Sequence, residues 1–184
     1  MKTIKLLALF FISGLAMTSC SSDDDGGEND EELITTVVLT LTNTANAADI
    51  VTLTFTDLDG EGGNEPVYTP AVSTLSTNTT YTGSIQLWNA TENPPEDVNE
   101  EIVGEADEHE FFYTPSVAGM TVVKTDTDGD GNPLGIETTV TTGTVGTGGL
   151  NVVLRHEPSK PNDGTLAGAG GSTDVEVNYS ISVQ

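Results

Sequence analysis

The chain has 184 residues, with 29 acidic side chains against 5 basic ones and a formal charge of −24 at pH 7. Such a polyanion repels nucleic acid and anionic lipid, whose binding takes clustered cations that release counterions, so nucleic-acid functions are excluded. A single cysteine excludes an intramolecular disulfide and a cysteine-based zinc cluster, and the length suits one domain with a tail and a sizeable core.

At the N-terminus, Lys2 and Lys5 flank the start of a 12-residue apolar run, Leu6 to Met17. That run is too short to cross roughly 30 Å of hydrocarbon, which takes about 20 residues of helix, so it reads as a signal-peptide core. Thr18 and Ser19 then lead into Cys20. The arrangement resembles a bacterial lipobox, in which the cysteine thiol takes a diacylglycerol and becomes the new N-terminus. Met17 departs from it, since Leu is commoner there. An ordinary secretory signal with an incidental cysteine is the other reading, but it leaves the lone Cys20 without a role. The expectation is a signal peptide over 1–19 and lipidation at Cys20. Cleavage there leaves Lys124, Arg155 and Lys160 as the cations facing all 29 acids.

In residues 21–32, seven of twelve side chains are acidic and none is apolar. Such a segment buries nothing to offset the entropy of ordering, so it is expected to be a disordered tether. Ser22-Asp23-Asp24-Asp25, close after the cysteine, resembles the export signal of Bacteroidota-type surface lipoproteins. That resemblance implies an outer-membrane anchor facing the extracellular side.

From residue 33 the chain turns rich in Thr and Val with period-2 alternation. Val37, Leu39 and Leu41 share a face, as do Val51, Leu53 and Phe55, and then Tyr81, Ile85 and Leu87. Pro94-Pro95-Glu96-Asp97 opens a stretch in which Val98, Ile102 and Ala106 recur every fourth residue. Proline and acids at a helix start are favourable, so the spacing predicts a short helix from Glu96 to about Asp107. Strand character returns at His109 to Tyr113, then at Ile136 and Val140, and at Leu150, Val152 and Leu154. The glycines from Gly143 to Gly149 read as a turn, and Gly164 to Ser172 as a flexible loop. In the last strand Val175, Val177, Tyr179, Ile181 and Val183 point inward, with Asp174 and Glu176 among the outward set. One buried face and one wet face is the mark of antiparallel sheets. About eight strands separated by turn residues predict an all-β fold, an antiparallel immunoglobulin-like β-sandwich over 33–184 with one short helix.

Three groups of residues suggest chemistry. Asp57, Asp59 and Glu61 alternate with Leu58, Gly60 and Gly62. They form a weak calcium-loop candidate, since Tyr68 stands where a closing Glu would be, and turn chemistry explains them equally well. Asp126, Asp128, Asp130 and Glu137 fit the twelve-residue calcium loop D-x-[DN]-x-[DN]-G-x5-E letter for letter. Calcium takes six to eight oxygens, which alternate acids around a glycine turn supply. The flanks are strand-like and Pro133 holds position eight, so the same residues also suit the tip of a β-hairpin. Finally, His109 and His156 each end an inward stripe, with Glu108, Glu110 and Glu157 beside them. If their strands adjoin, two imidazoles and a carboxylate would make a metal site; otherwise each is a histidine at the edge of the core.

No G-x-S-x-G, H-E-x-x-H, P-loop or dinucleotide fingerprint occurs in the required setting, so no enzyme is expected. A lone Trp88 reads as a core residue or, less readily, as a sugar-stacking platform.

Four blocks, Asp107–Tyr113, Gly131–Ile136, Leu154–Lys160 and Gly171–Val177, together resemble a family of Bacteroidota (flavobacterial) surface lipoproteins. Its members are often labelled "type 1 periplasmic binding fold superfamily protein". The residues themselves read as a sandwich, because a two-lobed α/β binding protein needs many alternating helices and strands. The resemblance supplies no catalytic residues. It implies a cell-envelope role beside a TonB-dependent outer-membrane receptor. The functional expectation is a lipid-anchored, non-enzymatic binding module on the outer membrane. The alternative is a structural or adhesive surface domain braced by calcium.

Overall fold

The computed structural model describes residues 33–60 and 62–184. The expected signal peptide over 1–19, Cys20, the expected tether over 21–32 and Glu61 lie outside the described residues. Alternating Thr/Val sequence yields two packed sheets. The larger holds β1 (Thr36–Asn43), β2 (Ile50–Thr56), β3 (Val67–Thr69), β5 (Thr80–Asn89), β6 (Glu96–Asp97), β8 (Thr121–Lys124) and β9 (Glu137–Thr141). Its order is β3-β2-β1-β5-β9-β8, with β6 hydrogen-bonded to β5. The smaller sheet, in order, is β4 (Ser73–Leu75), β11 (Ser172–Val183), β10 (Gly146–His156) and β7 (His109–Pro115). Every described pair is antiparallel except β4 with β11. The expected β-sandwich is therefore present, with very short strands added to the longer ones read from periodicity.

The core lies between the sheets. Val37, Leu39, Leu41, Leu53, Ile85 and Leu87 of the larger sheet pack in one cluster with Phe111, Leu150, Val152, Leu154, Val177 and Ile181 of the smaller. Removing such area from water stabilises by about 25 cal/mol per Å2, which is why the period-2 stripes decide the fold. Hydrogen bonds also tie the layers: the buried Tyr179 hydroxyl donates to the Val37 carbonyl at 3.0 Å, and the Lys124 ammonium of β8 donates to the Glu110 carboxylate of β7.

Two segments depart from the sequence expectation. The predicted helix shrinks to α1 (Asn99–Gly104), because Glu96 and Asp97 pair with β5 instead. The Asn99 side chain fixes this by donating to Ile85 O and accepting from Leu87 N. Val98 and Ile102 are still buried, as the four-residue spacing required. The loop over 164–172 contains a second helical turn, α2 (Leu166–Ala169), whose N-cap Thr165 hydroxyl accepts from Gly168 N at 3.0 Å. Ala169 and Leu166 pack on Phe112 and Val153, covering the outer face of the smaller sheet. Of the glycines read as a turn, Gly146, Gly148 and Gly149 lie within β10. Trp88 is half-buried on the outward side of β5 rather than in the core.

Candidate metal centre at one end of the smaller sheet

His109 opens β7 and His156 closes β10, and the antiparallel register sets them directly opposite each other. Their rings lie 4.7 Å apart, tilted by 30°. His109 is completely buried and His156 nearly so. Both histidines identified from sequence are therefore brought together, on the inward face at one end of the sandwich.

The third member was assigned outward by periodicity, and the structure corrects this. The pairing of β10 with β11 shifts between Leu154 and Arg155: Leu154 faces Val175 and Arg155 faces Thr173, so Asp174 falls at the shift between them. A β-bulge of this kind inserts one residue and re-aims side chains. The Asp174 side chain is consequently fully buried beside the histidines. Its Oδ2 lies 3.9 Å from His109 Nε2, and its Oδ1 lies 3.9 Å from His156 Nδ1.

Gly171 makes this corner possible. Its φ of +72° is left-handed, and a Cβ there would stand 2.2 Å from the His156 carbonyl oxygen. Glu157 also turns through a left-handed φ of +50°, and its N–H donates to Glu108 O at 2.7 Å. Carboxylates of Glu108 and Glu157 thus flank His156 on its solvent side. Glu108 Oε2 lies 3.8 Å from His156 Nε2.

The donor set suits a transition metal. His109 Nδ1 donates to the Glu105 carbonyl at 3.1 Å, which leaves Nε2 as the ring nitrogen that faces Asp174. Metal-binding histidines are usually oriented in this way. His156 Nδ1 is buried and makes no hydrogen bond. One nitrogen or oxygen from each of His109, His156 and Asp174 falls within 4.8 Å of the others. Tetrahedral zinc with bonds near 2.0–2.2 Å separates its ligands by about 3.3 Å. The two gaps of 3.9 Å between Asp174 and the histidines would each close by about half an ångström in that geometry.

The twelve-residue loop is held differently. The Asp126 carboxylate accepts from Gly135 N and Ile136 N, at 2.8 and 2.9 Å. Asp128 Oδ1 accepts from Asp130 N and Asn132 N, at 3.0 and 2.8 Å. Its Oδ2 meets the buried Lys160 ammonium at 3.2 Å. Lys160 also donates to Ala106 O at 2.6 Å and His109 O at 2.5 Å. An internal ammonium thus bridges this loop to the start of β7. Burial opposes ionisation of Asp128, but the Asn132 donors and Lys160 outweigh it and hold the carboxyl down to about 2. Asp130 and Glu137 are exposed.

In the loop after β2, Asp57 accepts from Gly60 N and Asp59 from Asn64 N. The Asn64 backbone bond, with its side-chain amide, lowers the Asp59 carboxyl below its ordinary value. Asp57, Asp59 and Gly60 line a cavity of about 770 Å3 together with Phe55, Thr173 and Asp174. Of the glutamates beside the histidines, Glu110 is turned away from them, bonding Lys124 and Asn162.

Comparison with protein-family models, with curated proteins and with solved structures gives no match.

Proposed function

We propose that the chain is a non-enzymatic binding module that captures a divalent transition metal, zinc or copper, between His109, His156 and Asp174. The single observation that carries this reading is the buried convergence of two imidazoles and a bulge-delivered carboxylate. Two nitrogens and one oxygen suit zinc or copper, whereas calcium and magnesium take oxygen alone. The residues named would bind and orient the ion, and the surrounding core would exclude water from it.

The wider setting is part of the same proposal. Lipidation at Cys20 would anchor the protein to the outer membrane, with residues 21–32 giving it reach at the cell surface. A metal-capturing module there would serve as an accessory to a TonB-dependent uptake receptor. Support comes from the lipobox-like sequence and the acidic run after it. Co-purification with such a receptor from native membranes is expected, and a clean pull-down would remove the receptor from the proposal.

The alternative, a calcium-braced structural or adhesive domain, has less support. A calcium ion at 126–137 would have to displace the backbone donors and the Lys160 ammonium that already hold Asp126 and Asp128.

Thermal melts separate the two readings. An ion at 100 times its dissociation constant adds about 2.7 kcal/mol, or roughly 5–10 °C for a domain of this size. Zinc or copper is expected to give such a shift, lost in Asp174→Asn. A shift with calcium alone, abolished by Asp128→Ala, would favour the alternative.

A further inference from the structure

One corner of the sandwich brings together an amine, a carboxylate and a carboxamide from three elements. Lys124 ends β8, Glu110 is the second residue of β7, and Asn162 lies in the loop that follows β10. A single carboxylate spans the other two side chains: Glu110 Oε1 accepts from the Lys124 ammonium, and Oε2 accepts from Asn162 Nδ2 at 2.6 Å. The Glu110 side chain is 2% exposed and that of Lys124 19%. The Lys124 nitrogen sits 4.4 Å over the centre of the buried Phe112 ring. Glu110, Lys124, Asn162 and Gly164 line one small cavity of about 110 Å3.

We propose that Lys124 and Asn162 are joined by an isopeptide bond, formed within the folded chain across Glu110. This is independent of the metal reading. Lys124 Nζ bonds to Asn162 Cγ, and the Cγ–Nδ2 bond breaks with its electron pair going to nitrogen. The ammonium gives up two protons, and both leave on the departing nitrogen, so ammonium is released and charge is conserved. The Glu110 carboxylate touches both nitrogens, passes the protons between them and ends ionised as it began. No oxidant or cofactor is consumed.

The surroundings supply what the reaction needs. Asn162 Oδ1 accepts from Gly164 N at 2.8 Å, and the same N–H stabilises that oxygen as it takes negative charge during attack. Nδ2 also donates to Ser159 O at 3.0 Å, which fixes the plane of the carboxamide. At Gly135 a Cβ would stand 2.8 Å from Lys124 Cδ, so glycine leaves room for the lysine stem. Holding amine and amide on one carboxylate, largely away from water, provides the proximity that a poor electrophile requires. The bond straps the end of β8, in the larger sheet, to the loop leaving β10, in the smaller. With a single cysteine, the chain has no internal disulfide to do this.

The test is proteolysis of the denatured full chain followed by mass spectrometry. The wild type is expected to give a branched peptide carrying Lys124 and Asn162, lighter by one ammonia than its two arms as separate peptides. Glu110→Gln keeps the size of the side chain but cannot carry the protons, and should give the separate peptides while still melting cooperatively. Asn162→Ala, changed in a half-buried loop, should also lose the branch and keep the fold. Separate peptides from the wild type overturn the proposal. So does a branch lighter by one water that joins Lys124 to Glu110, or a branch that persists in Glu110→Gln.

Discussion

Replacing Lys160 by Met keeps the length of the side chain and removes only the ammonium. The Lys160 side chain is 5% exposed, and its ammonium makes three hydrogen bonds, to Ala106 O, His109 O and Asp128 Oδ2. Removing one partner of a buried ion pair costs about 3–5 kcal/mol, because the other charge stays behind uncompensated. Asp128 keeps its backbone donors, so the lower end of that range applies, near 3 kcal/mol. For a domain of this size the melting temperature should fall by roughly 6–12 °C. Urea denaturation of wild type and Lys160→Met, at matched slope, measures the difference. The variant also leaves Asp128 Oδ2 and two carbonyl oxygens converging on a vacated cation position. Millimolar calcium should therefore stabilise Lys160→Met and leave the wild type unchanged. A loss below about 1 kcal/mol would refute the view that Lys160 is the cation of this loop.

Other outcomes follow from the same structure. Asp128 has a folded-state value of about 2, below its ordinary 3.8, so its contribution is full above pH 3.8 and fades as pH falls through about 2. The acid limb of a stability–pH curve should thus flatten by about 2 kcal/mol in Asp128→Asn; parallel curves would contradict this. Tyr179→Phe removes one buried bond between the sheets and should cost about 1 kcal/mol by denaturant titration, with no change telling against a role for that bond. Gly171→Ala forces a Cβ against the His156 carbonyl at a left-handed φ, and should cost about 1–3 kcal/mol and weaken metal binding together. A neutral result in both assays would show that the corner relaxes freely.

The sandwich was legible because its stripes are strict: Val37, Leu39 and Leu41 are buried as their spacing requires, and so are Val177, Tyr179, Ile181 and Val183. His109 and His156 were legible for the same reason, each continuing an apolar face. Their adjacency was not, since it depends on strand pairing across 47 positions that no local pattern encodes. Asp174 was missed because a bulge leaves the alternation downstream of it intact and flips only the residues at the irregularity. An Asp in a Val-rich strand, just after Gly170-Gly171, was the available signal. The calcium pattern at 126–137 matched in every letter, yet the sequence cannot show that Lys160, 32 residues from Asp128, occupies its side. Turn geometry and metal geometry ask for the same residues, and only the distant partner tells them apart.

The most direct test of the central claim is an anomalous difference map at the zinc absorption edge, from crystals of the protein grown with zinc. The account predicts a peak bonded to His109 Nε2, His156 Nδ1 and an Asp174 carboxylate oxygen at about 2.0–2.2 Å. Peaks confined to other surface carboxylates, with His109 and His156 still about 4.7 Å apart and no density between them, would contradict it.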